Sequence, residues 1–452
     1  MKKPLRVSFV SLGCAKNLVD SEKMLGQLAE AGCQITDDDN ADVTVINTCG
    51  FLDASRAEAD EVIREVVQRK NAGTLRRVVV AGCLVQRDKE SILERIPGID
   101  ALVGVNNRDD VVRAVVGRSR PAKPDVFLAE YHPFTQLDTA RLRLTPRHYA
   151  YLRISEGCDQ KCTFCTIPSI RGPMHCKPPQ VVLHEARELV GDGAVELILI
   201  GQDTTSYGLS EDRFDGGLAD LLRNLNDVDG VRRVRLMYVY PSVLSDDILD
   251  AVADCDRVCK YIDIPLQHVN DRILKAMHRC VDRPATEKLL DRIRTRIPGV
   301  TIRTTMIAGF PGETDAEFDE LMTFVRDVRF DALGVFPYSL EPDTPAGRMK
   351  DQLPDAVKHA RVDALMKAQQ EVAFALGERQ VGTTVSVLID EKVESNVAAG
   401  RHDGQAPLVD GLTFVEHCDA EPGDFVTVRC TARRDYDLVA RPTRKALRVL
   451  RT

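Results

Sequence analysis

Six short apolar runs recur between residues 150 and 336, at 150–154, 196–200, 234–239, 261–264, 300–307 and 332–336. Runs of this length bounded by turn residues read as strands. Helical patterns at 218–225, 245–253, 285–296 and 316–328 separate them. A strand followed by a helix pairs in parallel with the next strand through a right-handed crossover, so this part of the chain is confined to a repeated βα unit. Six strands are too few for the usual eight-stranded closed barrel. An open, partial (βα)6 barrel is expected, with its chemistry at the carboxyl ends of the strands.

The first of these strands leads into Cys158, Cys162 and Cys165, a C-x3-C-x2-C run. It supplies three thiolates where a cubane iron-sulfur cluster has four irons, which leaves one iron open to bind a substrate directly. The plainer alternative is a zinc knuckle. Zinc asks for a fourth Cys or His at comparable spacing, and the nearest candidate, His175, lies on a Pro/Gly-rich stretch beyond Cys165.

A second set of cysteines lies upstream. Apolar runs at 5–12, 43–47 and 78–81 end at Cys14, Cys49 and Cys83, and helix-like stretches at 20–31 and 54–70 lie between them. The order strand, helix, strand, helix, strand predicts a parallel sheet. All three thiols then fall on the carboxyl edge, where open α/β sheets bind ligands. They converge there on a second cluster, or they are ordinary buried core cysteines.

At 452 residues the chain is long enough for about three domains. With 44% hydrophobic and 29% charged residues its composition is that of a globular protein, and no apolar stretch approaches the ~20 residues of a membrane helix. Lys2-Lys3 precedes a hydrophobic segment, but Arg6 interrupts it, so no targeting segment is expected. Thirteen cysteines, an odd number containing two metal-like groups, point to a reducing cytoplasm rather than a disulfide framework. Cys33, Cys176, Cys255, Cys259, Cys280, Cys418 and Cys430 are read as structural, and His278 as a solvated or capping group at a helix end. Pro121, Pro124, Pro133 and Pro146 mark residues 119–147 as a linker.

Taken together, the cysteine triplet, the six βα units and the strand-end cysteines resemble the methylthiotransferases of the radical S-adenosylmethionine (SAM) superfamily over essentially the whole chain. Residues 11–22, 167–174 and 333–339 are most similar to the branch that modifies ribosomal small-subunit protein twelve. The resemblance implies a reducible [4Fe-4S] cluster on Cys158, Cys162 and Cys165 that chelates SAM, and an auxiliary [4Fe-4S] cluster on Cys14, Cys49 and Cys83. It implies that one electron cleaves the sulfonium bond, that the 5′-deoxyadenosyl radical takes hydrogen from an unactivated carbon, and that a methylated sulfur at the auxiliary cluster moves to that carbon. The implied substrate is the β-carbon of an aspartate in ribosomal small-subunit protein twelve, and the implied reductant is a donor such as flavodoxin or ferredoxin. Hydrogen abstraction from a saturated carbon is beyond acid/base side chains, so the cofactor carries the chemistry and the protein supplies position.

The turn Gly309-Phe310-Pro311-Gly312-Glu313 follows a strand and opens a helix, so it is either a site of close ligand approach or an ordinary connector. The resemblance favours cofactor contacts at Gly309, Gly312 and Glu313, with further contacts at Gly201, Gln202, Gln267 and His268.

Past a charged helix at 355–377, short strands at 385–389, 393–397, 412–415 and 425–430 are punctuated by glycines. They predict a small oligonucleotide-binding-like β-barrel, which resembles the TRAM domain that ends methylthiotransferases. Between residues 380 and 440 eleven acids face five bases, a net charge of −6 that disfavours RNA as the main ligand. Arg441, Arg444, Lys445, Arg448 and Arg451 form a basic tail. The expected domains are residues 1–118, 148–377 and 378–442, with 119–147 as linker and 443–452 as tail. Two other functions compete with the protein methylthiotransferase. A transfer RNA methylthiotransferase would share both clusters and the barrel. An electron carrier would need neither an open-iron triplet nor a scaffold this large.

Overall fold

The computed structural model describes residues 3–117, 123–131, 137–209 and 212–443. The amino-terminal strands are β1 (Arg6–Ser11), β2 (Gln34–Ile35), β3 (Val43–Thr48), β4 (Arg77–Gly82), β5 (Ala101–Val103) and β6 (Asp125–Phe127). They form one parallel sheet in the order β2-β1-β3-β4-β5-β6. Every residue of β3 and β4 is buried, as a sheet covered on both faces requires. Helix Asp53–Asn71 covers one face, burying Ala59, Ile63, Val66 and Val67, which recur at the spacing of one helical stripe.

Strand β6 lies within the segment read from its prolines as a linker; it joins the sheet edge through Ala101↔Asp125 pairing. Further along the same segment, Asp138 is buried among cations. Proline content marked the absence of helix there but could not show that a three-residue strand and one buried acid tie the segment down.

The middle strands are β7 (Tyr149–Arg153), β8 (Ser155–Glu156), β9 (His175–Cys176), β10 (Glu196–Ile200), β11 (Arg233–Leu236), β12 (Tyr261–Asp263), β13 (Thr301–Ala308) and β14 (Ala332–Pro337). Strands β7, β10 and β11 pair in parallel, as do β12, β13 and β14, and a single parallel bridge, Val234↔Val258, joins the two trios. The result is the open six-stranded arc expected from the sequence. One face of the arc packs on helices including Pro179–Gly191, Gly217–Asn226 and Asp246–Asp254, through Leu197, Leu199, Val234 and Leu236. The alternate residues Tyr149, Tyr151, Ile198, Ile200, Met237 and Tyr261 point inward, where Val19 and Ala406 from the flanking domains pack against them.

The last strands are β15 (Thr384–Glu394), β16 (Val397–Arg401), β17 (Thr413–Glu416), β18 (Phe425–Arg434) and β19 (Asp437–Pro442), a closed five-stranded barrel. The strand expected at 393–397 is instead the turn of the β15–β16 hairpin, because β15 continues through its charged stretch to Glu394. The barrel docks where the central strands begin. There Arg401 reaches Glu196 at 2.7 Å, Arg235 bonds the same carboxylate at 2.9 Å, and His148 meets Asp390 at 2.8 Å. Of the basic tail, Arg441 pairs with Glu416 on the barrel surface, and the other four residues lie outside the described residues.

Candidate functional site

Cys14 follows β1 and caps helix Ala15–Glu30, Cys49 follows β3, and Cys83 follows β4. These three strands are neighbours, and the chain reverses its direction of growth between β1 and β3, the position where open α/β sheets form a crevice. Gly13, at φ +96°, lets the loops converge: a Cβ there would stand 2.9 Å from the Cβ of Cys49. Desolvation of its sulfur raises the Cys14 thiol although the residue is exposed at the surface, but the cations of Lys16 and Arg171 outweigh it and hold the group below its ordinary value. Burial pushes Cys83 up to about 12 and also raises Cys49. Thiols of this kind bind metal only by losing the proton, and the metal's charge overturns the burial effect.

Cys158, Cys162 and Cys165 follow β8 as a loop at the carboxyl end of the central arc. Gly157, at φ +77°, leaves room for the Pro173 carbonyl, which any side chain would strike. Burial pushes Cys158 and Cys165 up to about 12. The Ile167 N–H donates to the Cys165 sulfur at 3.4 Å, and Arg279 Nη1 donates to that of Cys162 at 3.5 Å, with the Tyr240 hydroxyl 3.9 Å from the same sulfur. The thirteen cysteines form no disulfide among the described residues. His175, weighed as a zinc ligand, bonds the Tyr131 hydroxyl through Nδ1 at 2.9 Å.

Among the described residues no three His, Cys, Asp or Glu side chains close on one point as the ligands of a single ion do. A cubane binds each thiolate through a different iron, so its ligands need not meet at a point. Two triplets of thiols, each at strand ends and each without an added His or carboxylate, fit iron-sulfur clusters and do not fit zinc.

A buried ionic network runs from Cys83 of the amino-terminal triplet to Glu156, two residues before Cys158. Arg171 donates to Cys83 Sγ at 3.2 Å, to Asp20 at 3.0 Å and to Glu156 at 2.8 Å. Arg153 bonds Asp20, Glu156 and Asp138, and Lys177 bonds Asp138 and Glu185. Burial raises the Glu156 carboxyl, yet Arg171 and Arg153 win and hold it at about 2. Asp20, Glu156, Arg153 and Arg171 are missing from the sequence-predicted site. Asp20 and Arg171 fall inside the resembling segments 11–22 and 167–174, which was the available signal; nothing in the sequence pairs them.

The softer candidates divide. Gln202 donates to Glu156 at 2.5 Å, while its Oε1 and the hydroxyl of Ser155 beside Gly201 are buried with no partner among the described residues. Gln267 takes φ +75° and bridges to Met306. Glu313 accepts from the N–H groups of Gly309 and Phe310 at 2.9 and 3.2 Å and from Arg361 at 2.6 Å. His268 is fully buried with its Nε2 3.6 Å from Glu313. Glu313 therefore shapes the Gly309–Gly312 turn, whereas His268 accepts from the Asn270 N–H through Nδ1 and keeps its buried Nε2 without a hydrogen-bond partner among the described residues. Of the seven structural cysteines, five are buried, Cys33 is half-buried and Cys280 is exposed; His278 is exposed just past helix Asp271–Ala276.

Residues 6–104 match Uncharacterized protein family UPF0004, residues 152–325 the Radical SAM superfamily and residues 381–442 the TRAM domain. A protein of Anaeromyxobacter sp. (strain K) named ribosomal protein uS12 methylthiotransferase RimO is 44% identical, over 96% of this chain and 93% of that one. A protein of the same name from Lachnoclostridium phytofermentans is 41% identical, over 96% and 99%. Among solved structures, the radical SAM methyltransferase TsrM from Kitasatospora setae, 16% identical, superimposes with a TM-score of 0.57 over 76% of this chain and 77% of that one, a likeness of fold. Identity at this level along nearly the whole length, through all three domains, shows that the chain belongs to the RimO family of radical SAM methylthiotransferases.

Proposed function

We propose that this enzyme inserts a methylthio group at the β-carbon of an aspartate in ribosomal protein uS12, with Cys158, Cys162 and Cys165 holding the SAM-binding cluster and Cys14, Cys49 and Cys83 the auxiliary one. The cofactors of the family are SAM and two [4Fe-4S] clusters. The observation that supports the reading is the pair of cysteine triplets at the strand ends of adjoining domains, with Arg171 bonding both Cys83 and Glu156, two residues before Cys158.

When bound and reduced by one electron, SAM supplies the hydrogen abstraction that no side chain here can perform. The chain's own residues do the positioning. Arg279 and Tyr240 sit against the Cys162 sulfur, where a donated hydrogen bond stabilises the thiolate. Gln202 Oε1 and Ser155 Oγ offer unpaired polar atoms to the cofactor, and the Gly309–Gly312 turn lets its backbone approach. The Asp20–Arg171–Glu156 chain is fully buried and excludes water from the seam between the domains. An electron donor of the flavodoxin or ferredoxin class completes the partners.

Mass spectrometry of ribosomal proteins and transfer RNA from a deletion strain tests the reading. Loss of one methylthio group from uS12 is expected. Loss from transfer RNA with uS12 unchanged overturns it.

A further inference from the structure

Lys16 lies two residues beyond Cys14, in the first turn of helix Ala15–Glu30, and is only 7% exposed. Its ammonium stands 3.3 Å from the centroid of the Tyr238 ring. The other deeply buried cations of this region, Arg108, Arg153, Arg171 and Lys177, each hold one or more carboxylates at 2.5–3.2 Å. Among the described residues Lys16 makes no ion pair. Its polar neighbours are the Tyr238 side chain and the Cys14 sulfur, whose thiolate form it favours; no carboxylate meets it among the described residues, and a ring face repays only part of what it costs to take an ammonium out of water.

Tyr238 is itself held for this purpose. It follows β11 at the carboxyl end of the barrel strand and takes φ +60°, a left-handed conformation costly for a tyrosine. Its N–H donates to Asp263 Oδ2 at 3.0 Å, and its carbonyl accepts from the Thr204 N–H and hydroxyl, each at 3.1 Å. The backbone is pinned from β12 and from the turn after β10, and the ring stands under Lys16.

We propose that Lys16 is a specificity-determining residue that receives the side-chain carboxylate of the substrate aspartate. The assignment rests on the protein-substrate reading above. In an aspartate the carboxylate is one bond from the β-carbon, so anchoring it on a cation two residues from Cys14 brings that carbon next to the sulfur-donating centre. A neutral amide or a nucleobase would offer the ammonium no carboxylate.

The test crosses two enzymes with two substrates. Reconstituted full-length wild type and Lys16→Met are each given a uS12 peptide carrying the target aspartate and the same peptide with asparagine there. KM and kcat are measured, and peptide affinity is measured by calorimetry. Wild type should favour the aspartate peptide by roughly tenfold or more, the size of one charge-assisted contact, and Lys16→Met should lose most of that preference through KM and affinity. Lys16→Arg should keep it. Iron content confirms that the variants are folded and loaded. If Lys16→Met weakened both peptides equally, or kept the preference while the spectrum of the Cys14 cluster changed, the lysine would serve the cluster or the fold and the assignment would fall. If wild type modified neither peptide, the substrate reading would fall and take this one with it.

Discussion

Arg171 Nη2 lies 3.2 Å from Cys83 Sγ, so a barrel residue reaches across the domain seam to a cysteine of the sheet edge. The same guanidinium holds Asp20 of the amino-terminal domain and Glu156 of the barrel. One side chain thereby ties the barrel to the sheet edge beside Cys83.

Arg171→Leu takes one cation from two buried carboxylates that keep Arg153, so the loss should be at most the about 3–5 kcal/mol of a fully broken buried pair. The urea midpoint followed by circular dichroism should fall accordingly, and product formation should fall with it. An unchanged midpoint would mean that the network is not stabilising the seam.

Anaerobic reconstitution should load two [4Fe-4S] clusters, and changing Cys158, Cys162 and Cys165 together to Ala should halve the bound iron. Iron that vanished, or did not change, would refute independent sites.

The two triplets should fail differently. Cys162→Ala should abolish reductive cleavage of SAM, whereas Cys49→Ala should leave 5′-deoxyadenosine formation and lose methylthio product. Chromatographic assay of both products decides between them, and normal methylthio product from Cys49→Ala would remove the auxiliary role.

Acid should loosen the carboxyl-terminal barrel. Burial raises Glu196, but Arg401 and Arg235 win and hold its folded value at about 2, below the 4.5 of a free glutamate. A depressed carboxyl stabilises the fold above about pH 4.5, by about 3 kcal/mol, and that contribution is lost as pH falls toward 2. Limited proteolysis across this window should release the barrel, and Glu196→Gln should weaken docking already at neutral pH. Release that did not depend on pH would contradict the assignment.

Charge on the carboxyl-terminal barrel should govern encounter with a basic ribosomal protein. Asp403 and Asp410 are occupied in docking, with Arg233 at 2.6 Å and with Tyr261 at 2.7 Å, so they are unsuitable for reversal. Glu391, Glu394 and Asp419 are exposed. Changing these three to Lys should slow uS12 modification at low salt and narrow its salt dependence, leaving SAM cleavage intact. A rate insensitive to both salt and charge would exclude steering by this surface.

Local pattern was enough for much of this protein. The βα alternation dictated an open six-stranded arc, and the strand-end positions of Cys14, Cys49 and Cys83 placed them on one edge, because a parallel strand must end where its crossover begins. Strand β19 and the short strands β2, β5 and β6 were not legible, since two to six residues carry little periodicity and their pairing comes from distant neighbours. The partners of charged residues were illegible for a related reason. Asp20 and Arg171 are 151 positions apart and meet only when the sheet docks on the barrel. Asp403 and Asp410 read as surface acids until that docking buries their partners. Sequence nominated Cys158, Cys162 and Cys165 as iron ligands, because spacing along a turn is local. Only the tertiary structure decided what Lys16 faces, because the Tyr238 ring under it comes from the other side of the assembled seam.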